Sequence, residues 1–158
     1  MDKTFYQIVN NAESFFDAAA PRASAEDTSD DGKAVVIYLI PAVVCLALSA
    51  ELFLRAIIRS ETLQNACGHK LSSLYSELKA QTREIISQIY SKESNGSRED
   101  LQKILNSNDD TFIKYKYYFE SGVSEEANYQ DLHYLCIALR KYIKNYLVDV
   151  PLSAVDTI

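Results

Sequence analysis

Turn-forming residues are scarce in this chain: its 158 residues include only 4 Gly and 3 Pro. All-β sandwiches use such residues at every hairpin, so the shortage argues against that class. Cysteine is scarce too, with Cys45, Cys67 and Cys136 forming an odd set that has no CxxC spacing. A secreted disulfide framework or a zinc site needs pairs, so reduced and mostly buried thiols are expected. Positive charge is in deficit, with 16 Lys+Arg against 22 Asp+Glu and a net charge of −6. An acidic chain does not offer a broad phosphate-tracking surface, though one small basic pocket stays open to it. There is no Gly-rich phosphate loop, no Ser/Thr nucleophile beside a base, and no His/Cys/Glu cluster at metal-ligand spacing. No cofactor, no metal and no ordinary hydrolase or transferase site is therefore expected.

What the chain has in quantity is apolar surface. Hydrophobic residues make up 47 % and charged residues 24 %, a composition that folds rather than one that stays disordered. The length suits one domain, placed at residues 1–150 with a fraying tail at 151–158. The opening residues show no basic-then-apolar ramp, and Asp2, Lys3 and Glu13 stand among the first apolar positions. A cytoplasmic location is expected.

The uncharged run AVVIYLIPAVVCLALSA at 34–50 tests that expectation. A membrane span needs about 20 apolar residues, so the run is marginal, and Glu51 and Arg55 follow it directly. A helix apolar on all sides is also the centre of a bundle, which is the reading adopted. Neighbouring amphipathic stripes supply the cover. Phe5, Ile8, Val9, Ala12, Phe15 and Ala19 predict a helix over 3–20 that Pro21 ends, followed by an acidic linker at 21–33. The apolar helix follows at about 34–60, with Pro41 in its first turn or at a kink. Leu71, Leu74, Tyr75, Leu78, Thr82, Ile85, Ile86 and Ile89 predict a helix over about 69–91 after a break at Gly68. Ser97 and Asp100 cap a short helix carrying Leu101, Ile104 and Leu105. A second short helix is expected at 111–120, and the last at about 127–148. The expected fold is all-α, a four-helix bundle with one or two short extra helices.

Three stretches carry the candidate chemistry. LSAELFLRAII at 48–58 sets Glu51 and Arg55 four apart on one helix face, where they can pair. GHKLSSLYSEL follows at 68–78, and FIKYKYYFESG at 112–122. Their order resembles HEPN domains (higher eukaryote and prokaryote nucleotide-binding domains), all-helical bundles that the match covers over about residues 34–147. The matching residues are Glu51 and Arg55, then Gly68, His69 and Leu71, then Tyr118 and Glu120. The resemblance implies a homodimeric binding or regulatory module in bacterial stress or defence, with a nucleotide or RNA as ligand. Catalytic members are metal-independent ribonucleases that use an Arg with a His four to six residues later. Here neither His69 nor His133 has such an Arg before it, and Asn145 stands five residues after Arg140. No catalytic residue is therefore assigned.

Each candidate also has a structural reading. Glu51 and Arg55 read as a ligand pair or as a buried ion pair that needs full satisfaction. His69 reads as a helix cap, as a packed polar residue or as a contact, and His133 as a partly exposed helix residue. The cluster Tyr115, Tyr117, Tyr118 and Phe119 with Lys114 and Lys116 suits base stacking or a core. Arg140, Lys141 and Lys144 beside Tyr142 and Tyr146 form the most basic stretch, and so the best phosphate candidate or a solvated face. A binding module, a divergent ribonuclease working through Arg140, and a scaffold for a protein partner are the three functions weighed.

Overall fold

The computed structural model describes residues 1–23, 33–95, 98–111 and 129–148. Helices α1 (Lys3–Ala23), α2 (Lys33–Thr62), α3 (Leu71–Glu77), α4 (Ala80–Ser94), α5 (Arg98–Ser107) and α6 (Tyr129–Tyr142) follow one another, and α6 runs on as a π-helical turn, Ile143–Leu147. No strand is present among the described residues. The described part of the chain is all-helical.

α2 is the central element. Val43, Leu46, Ala50, Phe53, Leu54, Ala56 and Ile57 are fully buried, which leaves little of its stretch at 42–58 facing water. Its apolar surface is covered mainly by α1, and also by α6 and α3. α1 contributes Phe5, Val9, Ala12, Phe16 and Ala19 at three- and four-residue spacing. Phe16 takes the core position, while Phe15, the residue the stripe predicts, is half-buried. From α6 come Leu132, Leu135, Cys136 and Leu139. Small side chains stand at the crossings and use carbonyls of the neighbouring helix. The Ser49 hydroxyl donates to Ala12 O at 2.9 Å, and the Cys136 thiol to Leu46 O at 3.3 Å. Over Pro41–Thr62 the helix is long and apolar enough to cross a bilayer by length and composition, with mean hydropathy 1.9, and 61 % of its most apolar stretch is buried inside the molecule.

The predicted boundaries shift at four places. α1 runs through Pro21 to Ala23, and α2 already begins at Lys33, so the expected linker keeps only residues 24–32, which lie outside the described residues. Pro41 is therefore in the third turn of α2 rather than the first. The predicted helix over 69–91 is two helices, with Leu78 and Lys79 extended between them. The cause is a carboxylate from elsewhere: Glu61 on α2 accepts the Lys79 N–H at 2.9 Å and the Thr82 hydroxyl. That cap starts α4 where a continuous helix would have turned these donors inward. The last helix changes pitch at Ile143, and Val148 N–H closes the π turn on Ile143 O. The short helix expected at 111–120 lies beyond Thr111 outside the described residues.

α2 ends in strain. Leu63, just past the helix, has φ 61°, and its N–H donates to Arg59 O at 2.9 Å. This is the left-handed cap that glycine normally supplies, and an L side chain there costs about 1–2 kcal/mol. Leu63 recovers little of that by burial, being 76 % exposed. Leu63→Gly should therefore raise urea-unfolding stability by about 0.5–1 kcal/mol, the glycine's own unfolded-state entropy offsetting part of the relief. A loss of stability would instead assign Leu63 a packing role.

Candidate functional site

Two arginines one turn apart on α2 organise the loop at residues 63–70. Arg55 Nε donates to Glu51 Oε1 at 2.9 Å, Nη1 to Ala66 O at 2.8 Å, and Nη2 to Gly68 O. Arg59 Nη1 donates to Asn65 Oδ1 at 2.7 Å, and its Nε lies 3.1 Å from both oxygens of Asp2. Gly68 sits at φ 82°, where a side chain would be strained, and this bend brings both loop carbonyls toward Arg55. The outcome for the predicted Glu51–Arg55 pair is thus specific: it forms, and it fastens a loop.

His69 completes the cluster. Its Nδ1 is 2.9 Å from Glu51 Oε1 and 3.4 Å from Arg55 Nη2. The ring is 83 % exposed, whereas the Glu51 side chain is 14 % exposed and that of Arg55 20 %. His69 is not the cap of α3. That position is Lys70, which makes no side-chain cap, and the Ser72 N–H and hydroxyl both donate to Asp109, at 2.7 and 2.6 Å. Among the described residues Arg55 donates once from Nε and once from each Nη; its second Nη2 N–H faces His69 Nδ1 at 3.4 Å, and its second Nη1 N–H meets no partner there. The cluster therefore presents an anchored imidazole beside a guanidinium.

The basic stretch on the last helix lies apart, on the α1 and α4 sides of α6. Arg140 Nε donates to Glu13 Oε1 at 2.8 Å, and its guanidinium carbon lies 5.3 Å from the centre of the Phe16 ring. Glu13 Oε2 is buried 2.7 Å from the same nitrogen, with no aligned donor among the described residues. His133 stacks on the other α6 approach to Phe16, with ring centroids 5.4 Å apart and planes 4° from parallel. Burial lowers the His133 pKa from its ordinary value, which favours the neutral ring inside this stack. Lys141 pairs with Glu93 at 2.7 Å. Tyr142 is buried, stacks on Tyr146 and contacts the Thr82 hydroxyl at 3.2 Å. Lys144 and Asn145 are exposed on the π turn, a feature often found at functional positions.

Tyr115, Tyr118 and Glu120, with the rest of their aromatic cluster, lie outside the described residues. Among the cysteines the expectation of burial holds for Cys136, whose thiol burial pushes up to about 12, and fails for Cys67, which is exposed in the loop. No group of three or more His, Cys, Asp or Glu side chains suited to a metal occurs among the described residues. Sequence reasoning passed over Asp2, Glu13, Glu61 and Asp109, because each acts on a partner distant in the chain. No protein-family model, no curated protein and no solved structure matches this chain.

Asp2 provides a pH test of the loop anchoring. The Arg59 guanidinium, followed by the Phe5 N–H, holds its carboxyl down at about 2 from an ordinary 3.8. A depressed carboxylate stabilises the fold above its unfolded value and loses that contribution as pH falls through the folded value. Stability measured by urea titration should thus fall between pH 3.8 and about 2 in the native chain. In Asp2→Asn this limb should flatten; an unchanged profile would show that the pair does not contribute.

Proposed function

We propose that the protein is a non-catalytic, HEPN-like four-helix bundle acting as a binding or regulatory module for a nucleotide or nucleic acid, homodimeric and cytoplasmic, in bacterial stress or defence. The observation that carries the reading is His69, an exposed ring held 2.9 Å from the nearly buried Glu51. Fixing an exposed side chain costs rotamer entropy without burying apolar area, so packing is a poor reason for it. An anion offers a better one, because the guanidinium of Arg55 stands 3.4 Å from the ring and can meet phosphate oxygens. Lys70, the next residue, is also exposed. A net charge of −6 suits a small anion contact rather than a long nucleic-acid track.

A second reading is a divergent metal-independent ribonuclease. Arg55 and His69, fourteen residues apart in the chain, stand 3.4 Å apart in space, so folding supplies a pairing that the sequence spacing does not. The third, a scaffold for a protein partner, draws support from the internal pairing of two basic side chains of α6: Arg140 with Glu13 and Lys141 with Glu93.

The test is thermal unfolding with nucleoside mono-, di- and triphosphates, run on the native chain and on His69→Ala. A ligand at 100 times its dissociation constant adds about 2.7 kcal/mol, or roughly 5–10 °C for a chain this long. The reading predicts such a shift for at least one nucleotide and its loss in His69→Ala, with no RNA cleavage in EDTA by either protein. Cleavage in EDTA that His69→Ala abolishes would establish the ribonuclease instead. Cleavage lost only in Arg140→Ala would move the site to α6.

A further inference from the structure

We propose that His69 is a phosphoryl-acceptor site, modified at Nε2 by a small phosphoryl donor with a good leaving group, an acyl phosphate or a phosphoramidate. This goes beyond nucleotide binding and does not depend on it.

The contacts of the ring fix its tautomer. A neutral imidazole carries one N–H, and its position follows from the partner each nitrogen meets. Nδ1 lies 2.9 Å from a carboxylate oxygen of Glu51 and 3.4 Å from Arg55 Nη2. The shorter contact is to an acceptor, so the proton belongs on Nδ1 and donates to Glu51. Nε2 is then left with its lone pair. With the ring 83 % exposed, a donor molecule of any small size can reach it. A nucleophile is competent when its partner groups orient it and offset the charge it acquires. Glu51 does both, and Arg55 in turn fixes Glu51 through Nε at 2.9 Å. His133 provides the internal contrast: its ring is half-buried between Phe16 and Tyr129, and among the described residues no carboxylate bonds either nitrogen.

The step balances without a further reactant. The Nε2 lone pair forms the N–P bond, and the bond from phosphorus to the donor's leaving oxygen or nitrogen breaks. The leaving group takes that electron pair, as a carboxylate from an acyl phosphate or, after protonation by water, as ammonia from phosphoramidate. The Nδ1 proton stays between the ring and Glu51, whose negative charge offsets the positive charge on the phosphorylated ring. Glu51 is a positioning residue here, since it never touches phosphorus. Arg55 is likewise on the Nδ1 side of the ring, 3.4 Å away through Nη2, so the Nε2 edge is left to the incoming donor.

The probe is potassium phosphoramidate, added to the full chain at mildly alkaline pH where imidazoles are neutral. Intact mass and phosphorus NMR follow the acid-labile adduct and its ring position. The expected result is one phosphoryl group on Nε2 of His69, formed at least about tenfold faster than on His133 and absent from His69→Ala. Glu51→Gln should slow it about tenfold, the scale of losing one charge-assisted hydrogen bond to the ring. Nitrogen NMR of the unmodified native chain reads the tautomer directly, so a folding defect in the variant leaves the proposal testable. An Nε2–H tautomer would overturn it. So would modification at Nδ1, equal rates at the two histidines, or a rate indifferent to Glu51→Gln in a folded variant.

Discussion

A carboxylate and a guanidinium placed one turn apart near the end of an apolar helix must satisfy each other, because neither has enough water around it. Glu51 and Arg55 do so at 2.9 Å with side chains only 14 % and 20 % exposed. Removing one partner from such a pair leaves an uncompensated charge, which costs more than the pair contributes. Arg55 still has donors to place after Glu51 is met, and the loop carbonyls of Ala66 and Gly68 receive two of them. The chain past α2 is therefore folded back against the helix it has left. His69 is held at the rim of that fold, anchored below and open above.

The same end of the molecule shows how strongly the loop is constrained. Leu63 adopts a left-handed backbone with its side chain in water, and Arg59 ties Asn65 and the chain's second residue, Asp2, to the helix. Asp2 also accepts the Phe5 N–H at 2.9 Å and so starts α1. Beginnings of helices in this molecule depend repeatedly on distant carboxylates. Glu61 starts α4 and Asp109 starts α3, while Lys70 and Lys79 at the cap positions make no side-chain cap of their own. The apolar core supplies the bulk of the stabilisation, at about 1.5–3 kcal/mol for each large side chain buried. The polar contacts add much less, and they decide geometry: where helices start, and where the one anchored and exposed imidazole stands.

How much of this was legible follows from sequence distance. Helical periodicity is local, so the stripes of α1, of residues 71–89 and of α6 could be read directly, as could the burial of much of α2 from Ala42 to Ile58. The Glu51–Arg55 pair was legible because it is spaced by one turn. The break between α3 and α4 was not, because Leu78 and Thr82 continue the apolar stripe across it and the interrupting carboxylate is on another helix. The neighbourhood of Arg55 and His69 was hidden for the same reason. A motif defined by spacing along one helix misses a pair assembled by a loop that turns at Gly68. Arg140 presented the converse case. It looks basic in sequence, yet its Nε faces Glu13, 127 residues earlier.

The central claim is that Glu51 and Arg55 act as one unit that holds the loop, and a double-mutant cycle measures it most directly. Urea unfolding of the native chain, Glu51→Ala, Arg55→Ala and the double variant gives the coupling energy. The account predicts a coupling of about 1–3 kcal/mol, with either single change costing nearly as much as both together. Additive losses, with coupling near zero, would contradict it and leave the loop held by something other than this pair.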